Sequence, residues 1–379
     1  MPAAEKLSRD QVIAHRVAVH GLVERAERLT DLAVLDLGVQ DTPPGSLRVA
    51  LAARLAEPLA PDADVTADGA LTIVWTFRGA PHLHRTADLP ALAAAGWPRD
   101  DADAAARLGW QRARLAKVGM AARAAYREVA GAVAAVLDRP LTKSELSSAV
   151  TGRIRPELAP YCQPCGVHHV SEQLLRLAGL AGGLRIRPDT TPLVAEPLPD
   201  PPGTPADEGA DLARAVATYL RFFSPAGESD AAGFLGTNRR SVHPDWPGDL
   251  VAVEVDGRAA HVPADQLDAL RAARPAEVVR LLPPSDPLLQ GRDREVLVPD
   301  PAHRKALWPS LGAPGAVLAG ADVAGAWRTR KRGKRLALTV QPFRALRRDE
   351  RAELAAEARR VAVVRRIAPD DVEVVVEEA

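Results

Sequence analysis

Apolar positions along this chain recur at two spacings, and the spacing switches several times. Between residues 8 and 28 the apolar residues Val12, Ile13, Val17, Leu22 and Val23 follow a helical period. They stand behind Ser8-Arg9-Asp10-Gln11, a capping-box sequence, so a helix is expected there. A short second helix is expected from Leu29 to Leu37. After the turn Pro43-Pro44-Gly45, Ser46 is placed to cap a third helix running to Leu55. Leu71 to Phe77 and Gly79 to Arg85 then read as strands around a glycine-containing bend. Three helices followed by strands is the order of a winged helix.

The order recurs. Residues 115–138 read as a helix, Thr142-Lys143-Ser144-Glu145 as a second capping box opening another, and His169 to Leu180 as a third. Gly182-Gly183 leads into strand-like Leu184 to Glu196, and Pro197 to Pro205 is a proline-rich linker. In a third round Leu212 to Phe223 and Ser229 to Leu235 read as helices, and Leu250 to Val255 with Arg258 to Val262 as a hairpin around Asp256-Gly257. From Glu277 short β-prone runs dominate: Val278 to Leu282, Val296 to Val298, Ala316 to Leu318, Leu336 to Val340, Val361 to Arg365 and Val372 to Glu377. One charged helix interrupts them, from Arg348 to Arg360. The pattern gives an α+β class with three tandem winged-helix units at 1–114, 115–205 and 206–276, followed by a β-rich C-terminal module at 277–379.

Length supports several units, since 379 residues exceed what one core organises. No apolar run approaches a membrane span and no signal-peptide core opens the chain, so a cytoplasmic protein without membrane contact is expected. With 49 Lys plus Arg against 49 Asp plus Glu, the net charge is zero, so affinity for a polyanion must come from local patches. Two cysteines do not make a disulfide framework. Phosphate-binding Gly-x-x-x-x-Gly-Lys, Gly-x-Ser-x-Gly and His-Glu-x-x-His are absent, which leaves nucleotide hydrolysis, serine hydrolysis and zinc proteolysis unsupported.

Four stretches, taken together, carry a resemblance. They are Leu37-Gly38-Val39-Gln40-Asp41, Thr76-Phe77-Arg78-Gly79-Ala80-Pro81-His82-Leu83-His84, Leu281-Leu282-Pro283-Pro284-Ser285-Asp286-Pro287-Leu288-Leu289, and Val323-Ala324-Gly325-Ala326-Trp327-Arg328. In this order the chain resembles the bacterial tandem winged-helix DNA-binding family that includes the alkylpurine DNA glycosylases which unhook DNA crosslinks. The resemblance implies winged helices around a concave channel, and double-stranded DNA, alkylated or crosslinked, as partner. No cofactor and no metal are expected, and a monomer is expected.

It also implies catalytic residues. In the family's glycosylases a Gln-x-Gln or Gln-x-Asp pair before the third helix positions the attacking water. Gln40 and Asp41 are the candidates. In one register Gln40 is the second member and Gly38, with no side chain, the first; in the other Gln40 is first and Thr42 second. Two functional readings follow: a glycosylase using Gln40, or a non-catalytic DNA-binding regulator or damage sensor in which Gly38 marks lost chemistry.

Candidate DNA contacts are Arg78, His82 and His84 in the first wing, whose alternative role is to tie the wing to its helices. Arg239 and Arg240, with His243, follow a short helix. Arg328, Arg330, Lys331, Arg332, Lys334 and Arg335 surround Gly333 and read as a hairpin with a charged tip, six cations in eight residues that an anion would gather. Cys162-Gln163-Pro164-Cys165 with His168 and His169 supplies at most three zinc ligands. Two buried or paired thiols opening a helix are the expectation, with no metal. Asp286 is expected to accept hydrogen bonds that fix the C-terminal module.

Overall fold

In a computed structural model, which describes residues 5–205 and 211–378, the strands fall into several sheets interleaved with helices, a mixed α+β architecture. The chain condenses into two units. One takes the chain from its start to Ala63, then Thr218–Asp230, then Gly248 to its end. The other takes Asp64–Ala217 and Ala231–Pro247.

The first unit holds two sheets. Glu5–Leu7 runs parallel to Leu250–Val255, which pairs antiparallel with Arg258–Pro263. The hairpin turns on Asp256 and Gly257, both at positive φ, as a tight two-residue turn requires. The larger sheet orders Val279–Leu282, Gly315–Ala319, Asp322–Arg332 and Arg335–Pro342 antiparallel, with Val372–Val376 added in parallel. Gly315 is required there: a Cβ would lie 2.4 Å from the Trp327 ring, whose Nε1 donates to the Leu282 carbonyl at 2.9 Å. Leu354, Ala358, Val361 and Ala362 on the helix Arg348–Val364 share one core with Val279, Leu281, Leu338 and Val340 of the sheet.

Helix Arg9–Val19 keeps the expected capping box, with Ser8 and Gln11 exchanging hydrogen bonds. It stops well short of residue 28. Gly21 takes φ 67°, its N–H bonds the Ala18 carbonyl and the Leu22 N–H bonds that of Val17, which closes the last turn with Leu22 buried.

The second unit is built on Pro81–Arg85, Leu71–Trp75, Leu184–Ile186, Val194–Pro197 and Leu141–Thr142, adjacent in that order. The hairpins assigned from sequence to two separate modules thus share one sheet, joined where Ile73 faces Ile186. Helices Ala122–Val136, Lys143–Thr151 and Glu172–Gly179 bury Val129, Val133, Leu146, Val150, Leu174 and Leu175. The second capping box, Thr142 with Glu145, forms as expected.

Three element expectations need correction. Leu29 to Leu37 forms two 3-10 turns, Leu29–Asp31 and Ala33–Leu35, because Leu32, Val34, Leu35, Leu37 and Val39 are all buried and leave no polar helical face. Val361 to Arg365 is no strand: Val361 and Ala362 continue the buried stripe of the preceding helix at helical spacing. Val296 to Val298 is largely the end of a short helix, Arg294–Leu297.

A buried ion pair ties distant parts of the first unit. Arg54 donates to both Asp286 carboxylate oxygens at 2.7 and 2.8 Å, both side chains being fully enclosed. Arg54 also donates to the carbonyls of His20 and Ala50, while Asp286 accepts from the Leu288 N–H. Asp286→Ala strands a buried guanidinium and should lower unfolding free energy by about 3–5 kcal/mol. Arg54→Met with Asp286→Leu should lose less than either single change, as read by urea denaturation; equal or additive losses would remove the pair as the cause.

Candidate active site and nucleic-acid interface

Gln40 ends a two-residue strand, Val39–Gln40, that leads into the helix Ser46–Ala52. Leu37 and Val39 are buried, so the strand is anchored by its apolar positions and Gln40 is left half-buried. The Ser285 hydroxyl donates to the Gln40 carbonyl at 3.4 Å. Asp41 points the other way along the chain: its Oδ1 accepts from the Leu47 N–H at 3.0 Å, within the first turn of the helix. That is a capping contact, favourable for a carboxylate at a helix start. Beyond the helix, Arg360 donates to the Ala52, Leu55 and Ala56 carbonyls, and Arg54 reaches Asp286. The strand-to-helix turn is therefore held from both sides. Gly38 has φ 86° and donates to the Val34 carbonyl at 3.0 Å. A side chain at position 38 would sit in left-handed backbone, at about 1–2 kcal/mol.

In the same unit Asp322–Arg332 and Arg335–Pro342 form the expected basic hairpin, with Gly333 at φ 61° in its turn. Alternation places Arg328, Arg330, Arg332 and Arg335 on one face, with Arg332 directly opposite Arg335, while Leu336 and Leu338 bury the other. All six cations are exposed. Arg328 donates to the Gly312 carbonyl at 2.7 Å; among the described residues the other five enter no ion pair. Like charges facing each other across a ladder oppose pairing, so this arrangement suits a bound polyanion.

In the second unit Arg78 has φ 61° and donates to the Phe234 carbonyl, its guanidinium lying 5.2 Å from the Phe234 ring centre. It lines a cavity of about 220 Å³ together with Trp75, Phe77, Trp97 and Arg107. His82 and His84 share a face, as strand alternation requires, but the face is internal: they are 2% and 0% exposed. The Thr76 hydroxyl bridges them, 2.9 Å from His82 Nδ1 and 3.2 Å from His84 Nε2. Neither imidazole reaches the surface in this arrangement. Arg239 and Arg240 are exposed on the short helix Arg239–Val242, which Asn238 caps.

The cysteines depart from expectation. They do not open a helix, since Glu172–Gly179 begins after them. They sit on a small hairpin, Tyr161–Cys162 with Val167–His168, as free thiols. Sequence reasoning also missed Arg54, Ser285 and Arg360, because their partners lie hundreds of residues away and no local spacing announces them.

A family model described as "DNA glycosylase AlkZ-like" matches residues 34–364. Among solved structures, the Streptomyces sahachiroi DNA glycosylase AlkZ is similar, at 26% identity and TM-score 0.71, over 98% of this chain and 100% of that one. No curated protein matches.

Burial, chiefly, holds His20 and His82 well below the ordinary imidazole range, with Arg54 adding for His20 and His84 and Arg78 for His82. Unfolded, these groups take up protons near pH ~6.5; folded, they resist them. Stability should therefore be level above about pH 6.5 and fall as pH drops below it. Denaturation at stepped pH checks this, and His82→Gln, which has no proton to gain, should flatten the fall.

Proposed function

This chain belongs to the AlkZ-like DNA glycosylase family, and from that premise we propose that it excises N-alkylated purines from double-stranded DNA, with Gln40 holding the attacking water. Family membership sets the class: a DNA-binding hydrolase of N-glycosyl bonds acting in repair. The observation that carries the finer reading is Gln40 itself, an uncharged, half-buried side chain on a strand pinned from both sides, inside the matched region.

The chemistry suits a neutral amide. A purine alkylated at N7 is already cationic, so the bond from C1′ to N9 breaks with its electron pair passing to the base, which leaves neutral without a general acid. The sugar becomes oxocarbenium-like, water adds at C1′, and its proton departs to solvent. The protein has to orient that water and tolerate the positive charge. Gln40 can accept a hydrogen bond from the water through its amide oxygen. Asp41, engaged with the Leu47 N–H, serves as a positioning residue for the turn.

For binding, the reading rests on the arginine face at Arg328, Arg330, Arg332 and Arg335, with Lys331 and Lys334 at its tip, against the phosphate backbone. Arg239 and Arg240 are proposed as further backbone contacts. For Arg78, His82 and His84 the internal contacts favour shaping the wing over touching DNA. The winged-helix proposal has its best support at 115–205. There helix, strand, two helices separated by a small hairpin, and a closing pair of strands follow in order, and Leu141 of the first strand pairs with Ala195 of the last.

A second reading, binding without catalysis, is favoured by Gly38. At φ 86° the backbone suits glycine, so the missing side chain is part of how the turn is built. One experiment separates the two. With duplex carrying N7-methylguanine, the glycosylase reading expects base release above the spontaneous rate, cut about a hundred-fold by Gln40→Ala with binding retained. No release by the intact protein with binding retained leaves the second reading. Replacing Arg330, Arg332 and Arg335 with Ser should weaken binding and reduce the slope of log affinity against log salt by about 3, close to one for each phosphate no longer neutralised. An unchanged slope would remove the hairpin from the interface.

A further inference from the structure

The hairpin Tyr161–Cys162 with Val167–His168 stands in the long connection between the helices Lys143–Thr151 and Glu172–Gly179. Little apolar burial supports it: Tyr161 is 50% and Val167 54% exposed, and the ring contact it makes is Tyr161 against His168. Yet three soft donors converge on it. One ligand atom each from Cys162, Cys165 and His169 all lie within 4.8 Å of one another, the reach of donors around one metal ion. Neither cysteine is bridged.

We propose that Cys162, Cys165 and His169 bind one zinc ion, which locks the turn of this hairpin.

Local geometry supports it at each ligand. Gly166 takes φ 67° and its N–H donates to the Cys162 carbonyl at 2.9 Å, which turns the chain sharply after Cys165 and brings both sulfurs to one side. The Cys165 N–H is directed at the Cys162 sulfur, an arrangement that orients a thiolate ligand. His169 Nδ1 lies 2.7 Å from the Val170 carbonyl. Donation of the Nδ1 proton there leaves Nε2 with a free lone pair, as a metal-bound imidazole requires. His168, whose Nδ1 contacts the Ala159 carbonyl, is outside the cluster, so the two adjacent histidines divide the work. Two thiolates and an imidazole are a zinc donor set in tetrahedral coordination. Among the described residues no fourth His, Cys, Asp or Glu joins the cluster, so water takes the remaining position. Binding releases the two thiol protons to solvent, and no oxidation is involved.

The test uses the full-length protein, purified with thiols reduced. Elemental analysis should find one zinc per chain. Exchange for cobalt should give the intense near-ultraviolet sulfur-to-cobalt charge-transfer band and the visible bands of a tetrahedral site. Cys162→Ser, Cys165→Ser and His169→Ala should each lose or strongly weaken them while circular dichroism stays unchanged. Chelation should open the wild-type chain to trypsin after Arg153, which is exposed beside the hairpin. The proposal is overturned if reduced wild-type protein takes up neither zinc nor cobalt, or if the bands survive the three variants. Isolation as a Cys162–Cys165 disulfide that, once reduced, still ignores cobalt overturns it too. Metal content and spectra of the wild type decide the matter even if a variant fails to fold.

Discussion

Arg54 and Asp286 meet where no water reaches, and the pair is answered by hydrogen bonds from within the protein. A guanidinium in that position survives only because the carboxylate arrives from residue 286, the His20 carbonyl from the end of the first long helix, and the Ala50 carbonyl from its own helix. One contact thus holds three pieces of chain together. The neighbour of Asp286, Ser285, donates to the Gln40 carbonyl, so the same segment that neutralises Arg54 also sets the height of the candidate catalytic strand. Arg16 repeats the device. It pairs with Asp293 and donates to the carbonyls of Phe223, Ser224 and Pro225, joining all three stretches of chain that make up this unit.

The same pairing explains how a chain of zero net charge can offer a cationic surface. Arg16, Arg54 and Arg107 are enclosed, each beside an aspartate, and Arg360 directs its guanidinium at helix-terminal carbonyls. Enclosed pairs are weakly screened by salt, and their opposite charges largely cancel in the field outside the protein. The arginines of the 328–335 hairpin are the reverse case: aligned by strand alternation, exposed, and backed by a buried apolar face. A cluster of exposed positive charge can therefore stand at this hairpin although the chain as a whole is neutral.

Local signals in the sequence were legible where the interaction is local. Both capping boxes, the Asp256-Gly257 hairpin and the basic hairpin around Gly333 depend on residues a few positions apart, and all are present. Periodicity failed where burial is two-sided. Val361 to Arg365 carries strand composition but prolongs a helix, and Leu32 to Val39 is so heavily buried that no helical face can be read from it. Partners were out of reach altogether. Asp286 was readable as an acceptor, but nothing near it in sequence points to Arg54. Likewise, His82 and His84 were correctly placed on one face, and only tertiary packing makes that face internal. The sequence groups the two cysteines with His168 and His169, but only the folded hairpin, with its turn at Gly166, singles out His169 as the one beside them.

Position 38 decides what kind of site the Gln40 strand can be. The turn after Ala33–Leu35 closes by the Gly38 N–H reaching back to the Val34 carbonyl, and the chain leaves that turn at a Gly38 φ of 86°. A side chain added there meets backbone strain of about 1–2 kcal/mol, so a second water-holding group from position 38 comes at a cost to the turn that presents Gln40. On the proposed reading with Gly38 as first member, chemistry on this strand would run through one amide, helped by a leaving group that needs no proton. That requirement ties mechanism to substrate: a neutral purine would demand an acid, and the carboxylate beside Gln40 accepts a hydrogen bond from Leu47 at the start of the helix it caps. On the proposed glycosylase reading, a site of this construction suits bases that alkylation has already made cationic, and it is a glycine rather than a pocket residue that sets the preference.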